Sequence, residues 1–415
     1  MVLNADIGLQ SLSKPWLIGC GFLAGLGVGF AALHMPNSES HRDQAAMKQS
    51  VAAALEIPSA FKRADLLYQT FSVLDAENVR GAEQAMRASA ESLNAVDLQV
   101  FLSAWTEIDG LAAMSAASAW PSEAGRKVGM RIVMREWAAS GHAIEAGDYY
   151  HTVQNVDAKS MLAGPLARGW ALSGDVDGAQ FRVRLMWEQG EPPNTVDGFV
   201  RGALHAEGAE ALIERVVSLD PDQGGEFEQR LTRVALNLAA RENPLAASQA
   251  YADLEKSLTS DWLHGALLNI ARPWSETEPA AALEWLISRT PSPERTLALK
   301  EIIRGWAIVD LGAAWQWWST RTDWPQALPG EEPSRSIVLT ALLRRMAKVQ
   351  PHEAARWVHE VEKAGPRQTL LLRIAHFWAL RDATEAKNWI GDLTLPDDQA
   401  AQAMDAIGRA SGNSP

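Results

Sequence analysis

The chain has 415 residues, 47% of them apolar, a formal net charge of −13 and a single cysteine, Cys20. The apolar content is ample for a core, in one large domain or in two or three ordinary ones. The acidic balance, with no basic run suited to phosphate neutralisation, argues against nucleic acid as a partner. One cysteine excludes an intrachain disulfide and a cysteine-based zinc cluster.

A short tail, residues 1–15, leads into an uncharged run from Pro15 to Leu33. From Trp16 to Leu33 this run is 18 residues long, the lower end of what crosses a bilayer as a helix. Trp16 stands at its edge, where an indole prefers the interface. Three readings fit these residues. One is an uncleaved anchor over 16–33, single-pass in the inner membrane, with the tail inside and the body in the periplasm. Another is a signal peptide cleaved after the small-x-small triplet Gly29–Ala31. The last is a lipoprotein signal, since "LIGC" ending at Cys20 looks like a lipobox, but most of the apolar run lies after Cys20 rather than before it. Gly21, Gly25 and Gly29 recur every fourth residue, so a helix would carry them on one face and let a second copy approach closely, as in a homodimer. A helix that is merely glycine-rich, as signal segments often are, explains the same residues.

Residues 34–60 read as a linker and leading helix, and 61–415 as a repeat. Phe71, Trp105, Trp137, Trp170, Ala203, Ala239, Trp274, Trp306, Met346 and Trp378 anchor successive copies, spaced 32 to 40 residues apart. The register is sharpest in the last four. Leucine stands seven residues before each anchor, at Leu267, Leu299, Leu339 and Leu371, and Ile270, Ile302, Leu342 and Ile374 stand four before. Eight residues after the anchor comes alanine, at Ala282, Ala314, Ala354 and Ala386, and eleven after it tryptophan, at Trp285, Trp317, Trp357 and Trp389. A period in this range marks a solenoid of helical hairpins.

Each copy reads physically as a pair of helices. The two leading apolar positions and the anchor share one face of a first helix. Four residues past the anchor stand Glu278, Asp310, Gln350 and Asp382, and five past it Pro279 and Pro351, an N-cap position followed by the first position of a second helix. The alanine and the second tryptophan then share a face of that second helix. Both tryptophans are expected to point inward, with a turn between them.

"GWALSGDVDGAQFRV" carries a glycine and aspartate, Gly174 and Asp175, in its turn and Ala179 in its second helix. In these it resembles the tetratricopeptide repeat, over roughly residues 61–415. The other copies lack the turn glycine and carry alanine one place earlier, a Trp-rich variation on the theme. The fold expected is all-α: a right-handed α-solenoid of about ten helical hairpins, preceded by one N-terminal transmembrane helix.

One repeat position is not core. Two residues before the anchor stand Arg135, Arg168, Arg201, Asn237, Arg272, Arg304, Arg344 and His376 in successive copies. The position lies beside the apolar stripe of the first helix. In tetratricopeptide proteins that helix lines the concave surface, so the resemblance implies a cationic column along a groove. Either each arginine braces the solenoid by pairing with nearby acids such as Glu136 or Glu301, or the guanidinium forks present a track for an anionic ligand.

No catalytic constellation accompanies the repeat. The chain has no G-x-S-x-G, phosphate-binding or H-E-x-x-H motif, and its nine histidines are scattered. "GDVDG", Gly174–Gly178, lacks the rest of a calcium loop, and N-capping explains it. No catalytic, cofactor or metal residue is assigned. The helical superstructure of periplasmic lytic transglycosylases is similar in kind, but those enzymes also need a separate catalytic domain. The expected role is a membrane-anchored scaffold or assembly factor of the bacterial envelope acting on protein partners. The alternative is a binding module for an anionic peptide C-terminus or wall polymer.

Overall fold

The computed structural model describes residues 44–219, 225–257, 261–325 and 333–412, and these are helical with no β-strand among them. The anchor expected over 16–33, with Gly21, Gly25 and Gly29, lies outside the described residues. Among the described residues, no helix is long and apolar enough to cross a membrane.

The repeat register becomes paired helices, consistent with an α-solenoid. In chain order the pairs are Ala60–Phe71 with Val79–Ala88, Ala95–Ile108 with Gly110–Ser118, Glu123–Ala139 with Ala143–Thr152, and Val156–Leu172 with Val176–Glu188. Asn194–Val217 follows, bent at Gly208, where φ is 85°. Glu226–Glu242 pairs with Pro244–Ser257, Leu267–Ser275 with Pro279–Ile287, Pro293–Val309 with Leu311–Thr320, Ser334–Val349 with Pro351–Trp357, and Ala364–Ala379 with Ala383–Asp392. Asp397–Ala410 closes the stack. At the other end, the leading helix Gln44–Leu55 buries Met47, Val51 and Ala54 and lies along Val79–Ala88.

Six of the hairpin joints each follow from a single residue. Asp109, Asn243, Glu278, Asp310, Gln350 and Asp382 are each extended, with φ between −132° and −156°. The backbone N–H of each donates to the anchor carbonyl four residues back, closing the first helix, and the next residue already starts the second. Where that residue is Asp or Asn, the side chain also caps the second helix: Asp310 Oδ1 accepts from Ala313 N at 2.9 Å and Asp382 Oδ1 from Glu385 N at 2.9 Å. Proline fits the following position because its missing N–H has no intrahelical partner there. Two of the central copies turn differently, through Gly141 and Gly174 with φ of 89° and 96°, values that an L side chain tolerates poorly, so the turn glycine expected in the Gly174 copy alone also serves the copy anchored at Trp137.

The two rows of helices are held by different means. Each first helix packs directly on the first helix of the next copy. The second helices pack chiefly on first helices, and long side chains bridge them to one another. Arg215 reaches Asp177 at 2.6 Å, Arg289 reaches Glu255 at 3.2 Å and Arg321 pairs with Glu284. The apolar core runs between the rows. The alanines early in the second helices, Ala282, Ala314, Ala354 and Ala386, are fully buried, as close packing of the two helices requires.

The tryptophan pairs meet across the joint: ring centroids lie 6.2 Å apart for Trp274 and Trp285, 5.9 Å for Trp306 and Trp317, and 5.4 Å for Trp378 and Trp389. The expectation that both rings face inward needs correction for the later copies. Trp274 and Trp285 are buried, but Trp306, Trp317, Trp357, Trp378 and Trp389 are half-buried. Each sits at the rim of the joint, where an indole N–H can reach a polar partner: Trp317 Nε1 donates to Glu284 at 2.9 Å.

Candidate functional site

The first helices pack laterally on one another while the second helices pack chiefly on first helices, so one side of the stack is formed by the first-helix row. On that side each first helix shows a stripe of less buried residues. In Pro293–Val309 it comprises Leu297, Glu301, Arg304 and Ile308, and in Val156–Leu172 it comprises Met161, Pro165, Arg168 and Leu172. The arginine column occupies this stripe, as its offset from the apolar face dictates.

The column is not uniform. Arg135, Arg168 and Arg201 form one cluster, and glycine builds it. Gly169 and Gly202 each precede their anchor by one residue. A Cβ on Gly169 would lie 2.3 Å from the carbonyl oxygen of Arg135, and one on Gly202 would lie 2.6 Å from that of Arg168. No larger residue admits this backbone approach. The three arginines just beside these contacts therefore come together. Burial, and then the like charges of Arg135 and Arg201, hold the Arg168 guanidinium below its ordinary value, against the pull of Glu136. Gly305 holds the same register position before Trp306, yet a Cβ there would meet nothing within 4 Å.

Acidic residues near the cluster are largely committed. Glu136 pairs with Arg135 on the same helix. Beside it, burial and then the charge of Glu136 push the Glu107 carboxyl up. Asp197 belongs to Arg230, 2.8 Å away on the next first helix. Arg168 and Arg201 have no ion pair among the described residues, and Arg168 Nε is buried with no hydrogen-bond partner there.

The rest of the column is dispersed. Asn237 interrupts it, its Nδ2 donating to the Asn269 carbonyl of the next first helix at 2.8 Å. Arg272 and Arg344 are exposed and have no ion pair among the described residues. Arg304 is exposed and pairs with Glu301 on its own helix. His376 is half-buried, its ring 5.2 Å from that of Phe377. No arginine of the column pairs with an acid on a neighbouring helix among the described residues. Arginines elsewhere carry that bracing, such as Arg63 to Asp97 at 3.0 Å.

Sequence reasoning named the column and Glu136 as a possible partner, but missed Gly169 and Gly202, which decide its grouping. The signal was two successive glycines beside the anchor, and without the packing it had no meaning. It also missed a recurrent staple at the start of the first helix. Arg126, Arg295 and Arg367 each donate to a carbonyl six residues back, Trp120, Arg289 and Val361, tying the helix to the loop that enters it.

Two clefts open between successive joints, and no arginine of the column lines either. One, of about 350 Å³, is lined by Leu311, Trp315, Met346 and Trp357; the other, of about 470 Å³, by Pro244, Leu245, Pro273 and Trp274. Asp175 caps its own helix, accepting from Gly178 N at 2.9 Å. Among the described residues no group of three or more His, Cys, Asp or Glu could hold a metal.

No protein-family model and no curated protein matches the chain. Among solved structures it is similar to the crystal structure of Ton1535 from Thermococcus onnurineus NA1, at 16% identity over 87% of this chain and 95% of that one, with a TM-score of 0.26. That likeness is too slight to inform fold or function.

Proposed function

We propose that the protein is an interaction scaffold or assembly factor of the bacterial envelope. In this reading it is a right-handed, tetratricopeptide-like α-solenoid of about ten hairpins, carried on one transmembrane helix over 16–33 with its body in the periplasm. The inner face of the first-helix row is the binding surface. One observation carries the reading: a row of packed first helices presents cations, at Arg168, Arg201, Arg272 and Arg344, that have no ion pair among the described residues. Unbraced guanidinium groups on such a face suit planar anionic groups of a partner. The uncharged run from Trp16 to Leu33 supports the anchor.

Capture of the full-length protein from detergent-solubilised membranes, with mass spectrometry of what accompanies it, tests this role. A single dominant protein partner is expected. Bound glycan with no protein partner would replace the scaffold by a module for an anionic wall polymer, which the same arginines would also suit. N-terminal sequencing tests the anchor: a mature chain starting near Ala32, or a lipid on Cys20, would refute it.

A further inference from the structure

We propose that Arg135, Arg168 and Arg201 form a three-point site for an internal acidic peptide segment, bound extended across three successive first helices, with carboxylates on every third residue. This rests on the reading of the inner face as the interaction surface.

The spacing is the reason for the periodicity. Helices in contact lie about 8–10 Å apart, and backbone contact at Gly169 and Gly202 puts these three at the near end of that range. Successive arginines at one register position are therefore separated by about one such step. A polyproline-type strand repeats its facing every three residues and advances about 9 Å in doing so. Acidic side chains at that interval meet the arginines in turn, whereas neighbouring acids point elsewhere. The strand also has no internal hydrogen bonds to give up, and proline limits the entropy lost on binding.

Charge selects the occupant. Glu136 neutralises much of Arg135, but Arg168 and Arg201 have no ion pair among the described residues, so their guanidinium groups are left for a carboxylate from outside. An incoming carboxylate would offset the repulsion among like charges that the fold holds together. Pro165 and Met161, on the stripe beside Arg168, and Leu204 near Arg201 offer apolar surface for the residues between the acids. Both ends of the ligand are free in this arrangement, so no terminal carboxylate is needed.

The test uses the full-length protein in detergent and two end-capped fluorescent peptides of one composition. One repeats Glu-Pro-Pro; the other gathers its glutamates into one block. The repeating peptide is expected to bind more tightly, and to weaken with added salt. Arg168→Gln with Arg201→Gln should lower its affinity at least about tenfold, while Arg409→Gln, a surface arginine paired with Asp405, leaves it unchanged. Circular dichroism melting checks the fold of each variant. If the pair melts early, Arg201→Gln alone serves, since that side chain is exposed. Equal binding of the two peptides, or binding indifferent to the arginines, would overturn the site. So would binding of phosphatidylglycerol vesicles through these arginines in place of the peptide. If the captured partner persists on the double variant, the site fails and the scaffold reading stands; loss of any protein partner from the unmodified protein would instead remove the reading beneath it.

Discussion

The copies anchored at Trp137, Trp170 and Ala203 and those anchored at Trp306, Met346 and Trp378 share one register, yet solve packing differently. The central copies turn or bend through glycines with positive φ, Gly141, Gly174 and Gly208. They bury their anchor tryptophans and bring first helices into backbone contact at Gly164, Gly169, Gly198 and Gly202. The later copies turn at one extended residue, and the two with a tryptophan anchor fill the joint with paired indoles left half-open to solvent. Small residues allow backbones to touch, and large ones hold them apart. The same arginine position is therefore a cluster in one region and a set of separate cations in the other.

Three pairs of substitutions would break or sharpen that contrast. The largest effect is expected at the tryptophans. Trp170 is buried and donates its indole N–H to the Ala143 carbonyl, so Trp170→Ala should cost roughly 3–5 kcal/mol in urea unfolding. Half-buried Trp317 should cost less, about 1–3 kcal/mol, and mainly in adjacent copies. Equal losses would show that the two regions bury their aromatics alike.

The glycines should respond with opposite signs. Gly169→Ala forces a methyl against the Arg135 backbone and should cost about 1–3 kcal/mol. Gly305→Ala meets nothing and removes helix-interior glycine, so it should gain roughly 0.5–1 kcal/mol. A shift of melting temperature in the same direction for both would remove the distinction between close and open first-helix contacts.

Modest effects belong to the joints. Asp310→Ala removes a cap and should lose about 1 kcal/mol, with Asp310→Asn restoring most of it. Gly174→Ala should lose a similar amount, about 1–2 kcal/mol, through backbone strain at φ of 96° rather than a lost hydrogen bond. Rescue of Gly174→Ala by a new cap residue nearby would contradict that cause.

The sequence by itself determined the period, the helix pairs, the capped joints and the offset of the arginine column from the apolar face. Each follows from the 3.6-residue turn and from short-range capping chemistry, which depend on neighbours along the chain. The tertiary structure decided two things. It set how open the later tryptophans are, since the alignment gave Trp170 and Trp306 the same place and only packing separates them. It also decided which arginines meet. Gly169, Gly202 and Gly305 are indistinguishable in register, but two face a neighbouring backbone and the third faces open space. What lies opposite a glycine depends on residues about one repeat away in sequence, and helical periodicity carries no information about that distance.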